Sequence, residues 1–165
     1  MAITLARIDD RVVHGQTITR WASMRPVDSL IVISDTVAND ELRVKVTKSA
    51  AQGYKIGIYN VEQGVEALKK VAQSNKNFFI ISDSVDAFAE LARRGAGFGN
   101  VLNVGNYNGA REGAVDLGRC VSMTARERDE FDFLASNGID LQFQLLPDDP
   151  VRTWDSVKAK FSELA

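Results

Sequence analysis

The chain has 165 residues, of which 45% are hydrophobic and 25% charged, with one cysteine and a formal net charge of −2. This length suits one domain, residues 1–165, that buries a real core, and the small net charge gives no electrostatic reason to expect nucleic-acid binding. A lone cysteine excludes an internal disulfide, and no apolar run or N-terminal leader resembles a membrane span or a signal peptide. We therefore expect a cytoplasmic protein.

Short apolar runs alternate along the chain with amphipathic stretches. The runs predict strands, in chain order, at Ile3–Ile8, Ser29–Ser34, Lys55–Tyr59, Phe78–Ser82, Val101–Val104, Arg119–Met123 and Leu141–Leu145. Helices are predicted at residues 15–22 and along the apolar stripes that begin at Val61, Val85, Phe131 and Trp154. The alternation predicts an α/β fold with a central, mostly parallel sheet of about seven strands and helices on both faces.

Local signals support several of these boundaries. Asn39 or Asp40 is predicted to cap the helix after the second strand, and Thr124 with Glu127 matches a capping box. Gly95 follows a helical stripe, where a left-handed C-cap favours glycine. The glycine-rich stretch that begins there follows a helix rather than a strand, so it predicts a cap and a loop rather than a nucleotide-binding turn.

Polar residues follow the predicted strands at the point where each strand ends. Asp9-Asp10-Arg11 follows the first strand, Ser34-Asp35-Thr36 the second and Ser82-Asp83-Ser84 the fourth. Parallel sheets bind ligands in the crevice beyond the carboxyl ends of their strands. The segment after the first strand, with its histidine, therefore lies at the edge where we expect chemistry.

His14 is the only histidine, and it lies in the sequence Arg-Ile-Asp-Asp-Arg-Val-Val-His-Gly-Gln at residues 7–16. Imidazole titrates near neutral pH, and the planar guanidinium of arginine binds phosphoryl oxygens. A helix that begins at Gly15 offers free backbone N–H groups to an anion and disfavours a charged imidazole. The pattern predicts phosphoryl chemistry, with His14 as nucleophile and with Arg11, Gly15 and Gln16 at the phosphate. Asp9 is expected either to hold Arg11 or to fix which ring nitrogen of His14 carries the proton.

Other interpretations of these residues stay open. His14 fits a solvated loop histidine beside structural arginine–aspartate pairs, or a non-enzymatic module that binds a small anion or a partner protein. A nucleotide-binding α/β enzyme lacks a Walker sequence here, and a hydrolase built on His14, Asp83 and Ser34 or Ser82 lacks a Gly-x-Ser-x-Gly elbow. One histidine and one cysteine give no zinc ligand set, so no metal is expected, and Cys120 is predicted to be a buried small hydrophobe.

Residues 7–16, with Trp21 seven residues after the histidine, resemble the signature of the IIB component of the mannose/fructose/sorbose family of the bacterial sugar phosphotransferase system. Residues 34–40 resemble the second loop of that family, and Asn103-Val104-Gly105-Asn106 resembles its Asn-Val-Gly-Gly loop. The length of the chain matches one whole IIB domain, so the resemblance covers essentially all of it.

The resemblance implies a phosphotransferase without a bound cofactor, in which His14 is transiently phosphorylated on Nδ1 and Asp9 and Arg11 support the transfer. It implies that the phosphoryl group comes from a phosphohistidine on the IIA component. The group then passes to a sugar that the membrane components IIC and IID bind and translocate. Such a protein is cytoplasmic and associates peripherally with the inner face of the membrane through IIC and IID. The sequence identifies neither the sugar nor the oligomeric state, and a homodimer stays open.

The chain departs from the family pattern at two places. Val12-Val13 replaces the common Leu-Ile before the histidine, which is a change in side-chain packing. The later loop reads Asn-Val-Gly-Asn-Tyr-Asn where the family has Asn-Val-Gly-Gly followed by Met, sometimes with a second histidine. We therefore assign no catalytic role to Asn106 or Tyr107.

Overall fold

The computed structural model describes residues 2–165, in which strands and helices alternate. The strands are β1 (Ile3–Ile8), β2 (Ser29–Ile33), β3 (Lys55–Tyr59), β4 (Phe78–Ser82), β5 (Val101–Val104), β6 (Val115–Asp116), β7 (Ser122–Met123), β8 (Asp140–Phe143) and β9 (Arg152–Thr153). The helices are α1 (Gly15–Ala22), α2 (Asp35–Ala38), α3 (Glu41–Ala50), α4 (Val61–Ala72), α5 (Val85–Arg93), α6 (Ala125–Ser136) and α7 (Trp154–Leu164). The predicted α/β class is confirmed.

Seven strands form one sheet in the order β3-β2-β4-β1-β5-β8-β9, and only β9 at the edge runs antiparallel to its neighbour. β1 lies at the centre, paired with β4 and β5. The carboxyl ends of six parallel strands therefore meet at one edge, and the segment after β1 leaves from the middle of that edge.

Successive side chains of the inner strands enter opposite layers of the core, as the pleat of a strand requires. Leu5 and Phe79 pack with Ile18 and Trp21 of α1 on one face. Ile8, on the other face, belongs to the cluster formed with α4 to α7. The prediction of helices on both faces is confirmed, and the carboxyl end of β1 is buried between the two layers.

The predicted strand Arg119–Met123 is wrong. Gly118, Arg119 and Cys120 all have positive φ angles, of 76°, 50° and 63°, so the chain turns sharply where an extended strand was expected. Only Ser122–Met123 forms a strand, which pairs with β6 in a separate two-stranded sheet, and Val121 makes an isolated bridge to Tyr107. The turn exposes Cys120, which contradicts its predicted burial. The seventh strand of the main sheet is instead the two-residue β9, which gives no periodic signal.

Most of the helix boundaries that the sequence predicts are confirmed by the structure. Asp40 caps α3 through its carboxylate, and Thr124 and Glu127 form a reciprocal capping box at α6. Gly95 follows α5 in a left-handed conformation, as predicted. β2 ends one residue earlier than predicted because Ser34 caps the short helix α2, which the sequence analysis missed.

Candidate functional site

His14 occupies the N-cap position of α1 at the carboxyl edge of the sheet. Its backbone is extended, with φ −140° and ψ 142°, and its side chain makes no capping hydrogen bond. The first hydrogen bond of the helix runs from the Ile18 N–H to the His14 carbonyl. Within residues 2–165 no acceptor is in hydrogen-bond geometry for the N–H groups of Gly15 and Gln16. These free donors and the helix dipole make a site for an anion beside the imidazole.

The His14 ring is partly buried and lies between a carboxylate and a hydroxyl. Its side chain is 24% exposed, and Nε2 lies 3.8 Å from Oδ2 of Asp9. The Thr17 Oγ1 is 2.7 Å from Nε2 and 3.2 Å from Nδ1. Burial lowers the pKa of His14, and Arg11 and Arg7 lower it further, while Asp9 opposes them. The ring is therefore neutral near pH 7, which is the form that carries a nucleophilic lone pair.

Asp9 is fully buried and binds Arg7 rather than the guanidinium of Arg11. Its Oδ2 accepts a hydrogen bond from Arg7 Nη2 at 3.1 Å, and its Oδ1 accepts one from the backbone N–H of Arg11 at 3.1 Å. Asp9 therefore holds Arg11 through its backbone N–H, and the Arg11 guanidinium forms no ion pair with it. The Asp9 Oδ2 lies 3.8 Å from His14 Nε2, too far for a hydrogen bond but close enough for its charge to act on the ring, so the second expected role, fixing which ring nitrogen carries the proton, stays a prediction.

Arg7 is a site residue to which the sequence analysis assigned no role. Its guanidinium is buried, donates to Asp9, Asn103 and the carbonyls of Gln144 and Leu145, and lies over the Trp21 ring. Asn103, Gln144 and Leu145 lie about 100 or more positions away from Arg7 in the sequence, so no local sequence pattern predicts this hydrogen-bond network. Arg7 neutralises Asp9 and connects β1 to β5 and to the segment after β8.

Residue 105 must be a glycine because the Arg7 guanidinium occupies the space that a side chain there would need. A Cβ added at residue 105 would lie 2.0 Å from Arg7 Nη2 and 2.3 Å from Arg7 Cζ, so the guanidinium can reach Asp9 only when this position lacks a side chain. This explains physically why the Asn-Val-Gly loop after β5 belongs to the site.

Arg11 is exposed, in contrast to Arg7, and its guanidinium makes no ion pair or hydrogen bond within residues 2–165. It lines a cavity of about 560 Å³ together with His14, Gly15 and Gln16. The structure thus brings together all the predicted phosphate-site residues except the buried Asp9, which lies directly behind the ring. Val12, between Arg11 and His14, has a φ of 58°, a strained conformation for a β-branched residue.

The His14 cavity has an apolar wall opposite α1. Leu145 and Leu146 form this wall, and Gln52 lies along α1, where its side chain reaches Thr19. An exposed ion pair of 2.5 Å between Arg20 and Asp148 connects α1 to the segment that carries the two leucines. The cavity is open to solvent, so a group carried by another molecule can reach His14.

Asp10 attaches the loop after β5 to the loop that carries His14. Its Oδ2 accepts hydrogen bonds from the N–H groups of Asn108 and Gly109 at 2.7 and 2.8 Å, and its own N–H donates to the Asn106 carbonyl. The segment that departs from the family pattern therefore supports the site through its backbone. The side chain of Tyr107 points away into the core, where its hydroxyl donates to Glu127.

The remaining sequence candidates do not converge on His14. Among residues 2–165, no serine hydroxyl is within hydrogen-bond distance of the His14 ring, and Asp83 binds Thr36 and Arg43 instead. No group of three or more potential metal ligands occurs in that part of the chain. None of the helices there is both long and apolar enough to cross a bilayer.

A rigid parallel sheet that presents a neutral histidine at a helix N-terminus, beside an unpaired arginine, defines a class of anion-handling α/β domains. The family model described as "PTS system sorbose subfamily IIB component" matches residues 3–164. The chain belongs to this family of sugar phosphotransferase-system components, whose members are phosphotransferases.

Similar proteins agree with this assignment. The sorbose-specific EIIB component of Lacticaseibacillus casei is 29% identical over 91% of each chain. The mannose-specific EIIAB component of Escherichia coli is 30% identical over 91% of this chain but only 46% of its own length. The crystal structure of the IIBSor domain of the sorbose permease from Klebsiella pneumoniae superposes with a TM-score of 0.88, at 29% identity, over 100% of this chain and 99% of that one.

Proposed function

We propose that this domain is a phosphocarrier in which His14 accepts a phosphoryl group from a phosphohistidine of a IIA component and passes it to a sugar. The single observation that carries the proposal is the position of the His14 imidazole at the open N-terminus of α1, in one cavity with the unpaired Arg11. The fused EIIAB relative of E. coli supports a IIA partner, because A and B parts share one chain there.

Nδ1 is the proposed acceptor atom. The negative charge of Asp9, 3.8 Å from Nε2, favours the tautomer with the proton on Nε2, and the Thr17 hydroxyl 2.7 Å from Nε2 can accept a hydrogen bond from it. This tautomer leaves the lone pair on Nδ1. That lone pair attacks phosphorus as the P–N bond to the donor histidine breaks, and the donor imidazole keeps the electron pair of that bond. The phosphorylated His14 ring then carries positive charge, which the Asp9 carboxylate stabilises.

Arg11 and the backbone N–H groups of Gly15 and Gln16 are proposed to bind the phosphoryl oxygens. Phosphoryl transfer depends mainly on positioning and on neutralising the charge of these oxygens, which one guanidinium and a helix N-terminus provide. The step requires no metal or cofactor because the donor phosphohistidine is already reactive.

The second half-reaction is proposed to occur at the membrane. A hydroxyl of a sugar that IIC and IID components bind and translocate attacks the phosphorus and loses its proton to solvent. The bond to Nδ1 breaks, the imidazole keeps the electron pair of that bond, and His14 returns to its neutral form. The domain would act in the cytoplasm, associated with the inner face of the membrane through these partners.

The test is incubation of the purified chain with a phosphorylated IIA component of this family, followed by addition of membranes that contain IIC and IID and a sugar. The wild-type chain should acquire acid-labile, alkali-stable phosphate and lose it to the sugar, whereas His14→Ala should acquire none. Label on the His14→Ala variant would overturn the proposal, as would an unlabelled wild-type chain.

A further inference from the structure

A second cavity lies at the carboxyl edge of the sheet, beyond β5 and β8 and next to the His14 cavity. Its volume is about 390 Å³, within the range of small-molecule sites. Leu145 lines both cavities, and the backbone of Gly105, which covers Arg7, forms part of the wall of the second one. The second cavity also contains the side chains of Arg119 and Arg152, to which the proposed function assigns no role.

These two arginines differ from most others in the chain because they lack an acidic partner. Among residues 2–165, a carboxylate pairs with Arg7, Arg20, Arg43, Arg93, Arg94, Arg111, Arg126 and Arg128. The exceptions are Arg11 beside His14, Arg25, which stacks on Trp21, and the two arginines of this cavity. Two guanidinium groups without an ion-pair partner in one concave site attract an anion, and the single carboxylate of Asp149 on the same lining offsets only part of their charge.

Two hydrogen bonds fix the direction of the Arg152 side chain, whereas the Arg119 side chain is exposed. Arg152 donates from Nη1 to the Leu117 carbonyl at 2.7 Å and from Nη2 to the Gly118 carbonyl at 2.9 Å. These bonds leave its Nε–H and the remaining Nη protons for a ligand. Arg119 lies at the tip of the left-handed turn, with a φ of 50°. The pKa of Arg152 is lowered by burial and by the charge of Arg119, as expected for two cations that face one cavity.

The remaining lining suits a polyhydroxylated ligand rather than a bare ion. Leu145 and Pro150 offer apolar surface to the C–H groups of a sugar. Asp149 uses Oδ2 to accept the N–H of Leu146, which leaves Oδ1 as an acceptor for a hydroxyl group.

We propose that this cavity binds the phosphate monoester of a hexose-sized molecule, with Arg119 and Arg152 at the phosphate. The class of ligand rests on the proposed function, because a sugar phosphate is the product of that reaction. Bound there, the product lies beside the wall of the His14 cavity. The anion site itself stands on the two arginines and does not require His14 to be phosphorylated.

Cys120 gives a direct readout of occupancy, because it is the only cysteine of the chain, is exposed and lines this cavity. We would measure the rate of Cys120 alkylation by iodoacetamide, an uncharged reagent, with increasing mannose 6-phosphate. Mannose and inorganic phosphate serve as separate arms. Mannose 6-phosphate should slow alkylation in a saturable way, and mannose should have no effect. The concentration of inorganic phosphate that gives half-maximal protection should be at least roughly tenfold higher than that of mannose 6-phosphate.

Arg119→Ala and Arg152→Lys should each weaken the protection by mannose 6-phosphate roughly tenfold or more, since each removes hydrogen bonds to a charged group. Arg119 makes no side-chain hydrogen bond or ion pair within residues 2–165, so Arg119→Ala should leave the turn intact. Arg152→Lys keeps the positive charge but loses the bonds to the Leu117 and Gly118 carbonyls, so its unfolding midpoint is measured alongside. Arg94→Ala is the matched control, because it removes an exposed arginine outside this cavity, and it should leave the protection unchanged.

Equal protection by inorganic phosphate, protection that survives both arginine variants, or no protection at all would each overturn the proposal. The experiment also separates it from the proposed function. His14→Ala should bind mannose 6-phosphate as the wild type does, even though it accepts no phosphoryl group.

Discussion

The His14 cavity and a larger cleft at the same carboxyl edge of the sheet differ in how the charges of their arginines are compensated. The cleft beyond β2, β3 and β4 has a volume of about 780 Å³, against about 560 Å³ for the His14 cavity. Its arginines are neutralised, because Arg93 pairs with Glu130, Arg94 with Glu90 and Arg126 with Asp86. The smaller cavity keeps Arg11 unpaired beside free backbone N–H groups. Uncompensated positive charge, rather than size, therefore marks the phosphate site.

The two arginines that flank Asp9 in the sequence show the same contrast at shorter range. Arg7 is buried, paired and surrounded by hydrogen-bond acceptors, whereas Arg11 is exposed and free. The first holds the site together, and the second is free to bind a ligand. Substitutions at the two positions should accordingly affect different measurements.

The largest effect is expected for Arg7→Met, which leaves the Asp9 carboxylate buried without its partner. Removing one member of a buried ion pair costs about 3–5 kcal/mol. Chemical denaturation should show this loss, whereas Arg20→Met should change stability by at most about 1 kcal/mol because its ion pair is exposed. Equal stability of the Arg7→Met variant and the wild type would remove the contrast between the two arginines.

Arg11→Ala should slow phosphorylation of the domain by roughly 100-fold, since it removes a group that neutralises the transferring charge. Its unfolding midpoint should stay near that of the wild type, because the side chain makes no contact that the fold needs. Rapid-quench measurements with phosphorylated IIA give the rate. Arg94→Ala in the larger cleft is the matched control and should leave the rate unchanged. A loss of thermal stability that matches the loss of rate would instead make Arg11 a structural residue.

Gly105→Ala should destabilise the domain by about 1–3 kcal/mol, because the new methyl group overlaps the Arg7 guanidinium. It should also slow phosphoryl transfer, since Asp9 loses its correct position behind His14. Gly97→Ala is a suitable control, as nothing lies within 4 Å of the added Cβ. If Gly105→Ala and the wild type have the same free energy of unfolding, Arg7 can move aside without loss of stability, which would contradict this prediction.

The smallest predicted effect concerns the titration of His14. Because its folded pKa lies below the ordinary 6.5, the unfolded chain binds the proton more tightly, so stability falls as the pH drops below about 6.5. The His14→Gln variant lacks this contribution to the loss of stability. NMR titration of the only histidine should show the lowered pKa in the wild type, and a higher pKa in Arg11→Ala. A wild-type pKa at or above 6.5 would contradict the burial argument.

The sequence predicted β1, α1 and the position of His14 because their signals are local: an apolar run, a helical stripe and a histidine before a glycine. It missed the role of Arg7 because the partners of that side chain lie on β5 and beyond β8. It misplaced a strand at Arg119–Met123 because an apolar run does not reveal consecutive left-handed residues. The unpaired state of Arg11 was equally invisible, since it depends on which carboxylates folding brings near.

Phosphosite mapping tests the central claim most directly. The wild-type chain is phosphorylated by its IIA donor, digested under alkaline conditions that preserve phosphohistidine, and analysed by mass spectrometry. The account predicts a single phosphorylated residue, His14, with NMR of the intact phosphoprotein placing the phosphorus on Nδ1. Phosphate on any other residue, or on Nε2 facing Asp9, would contradict it.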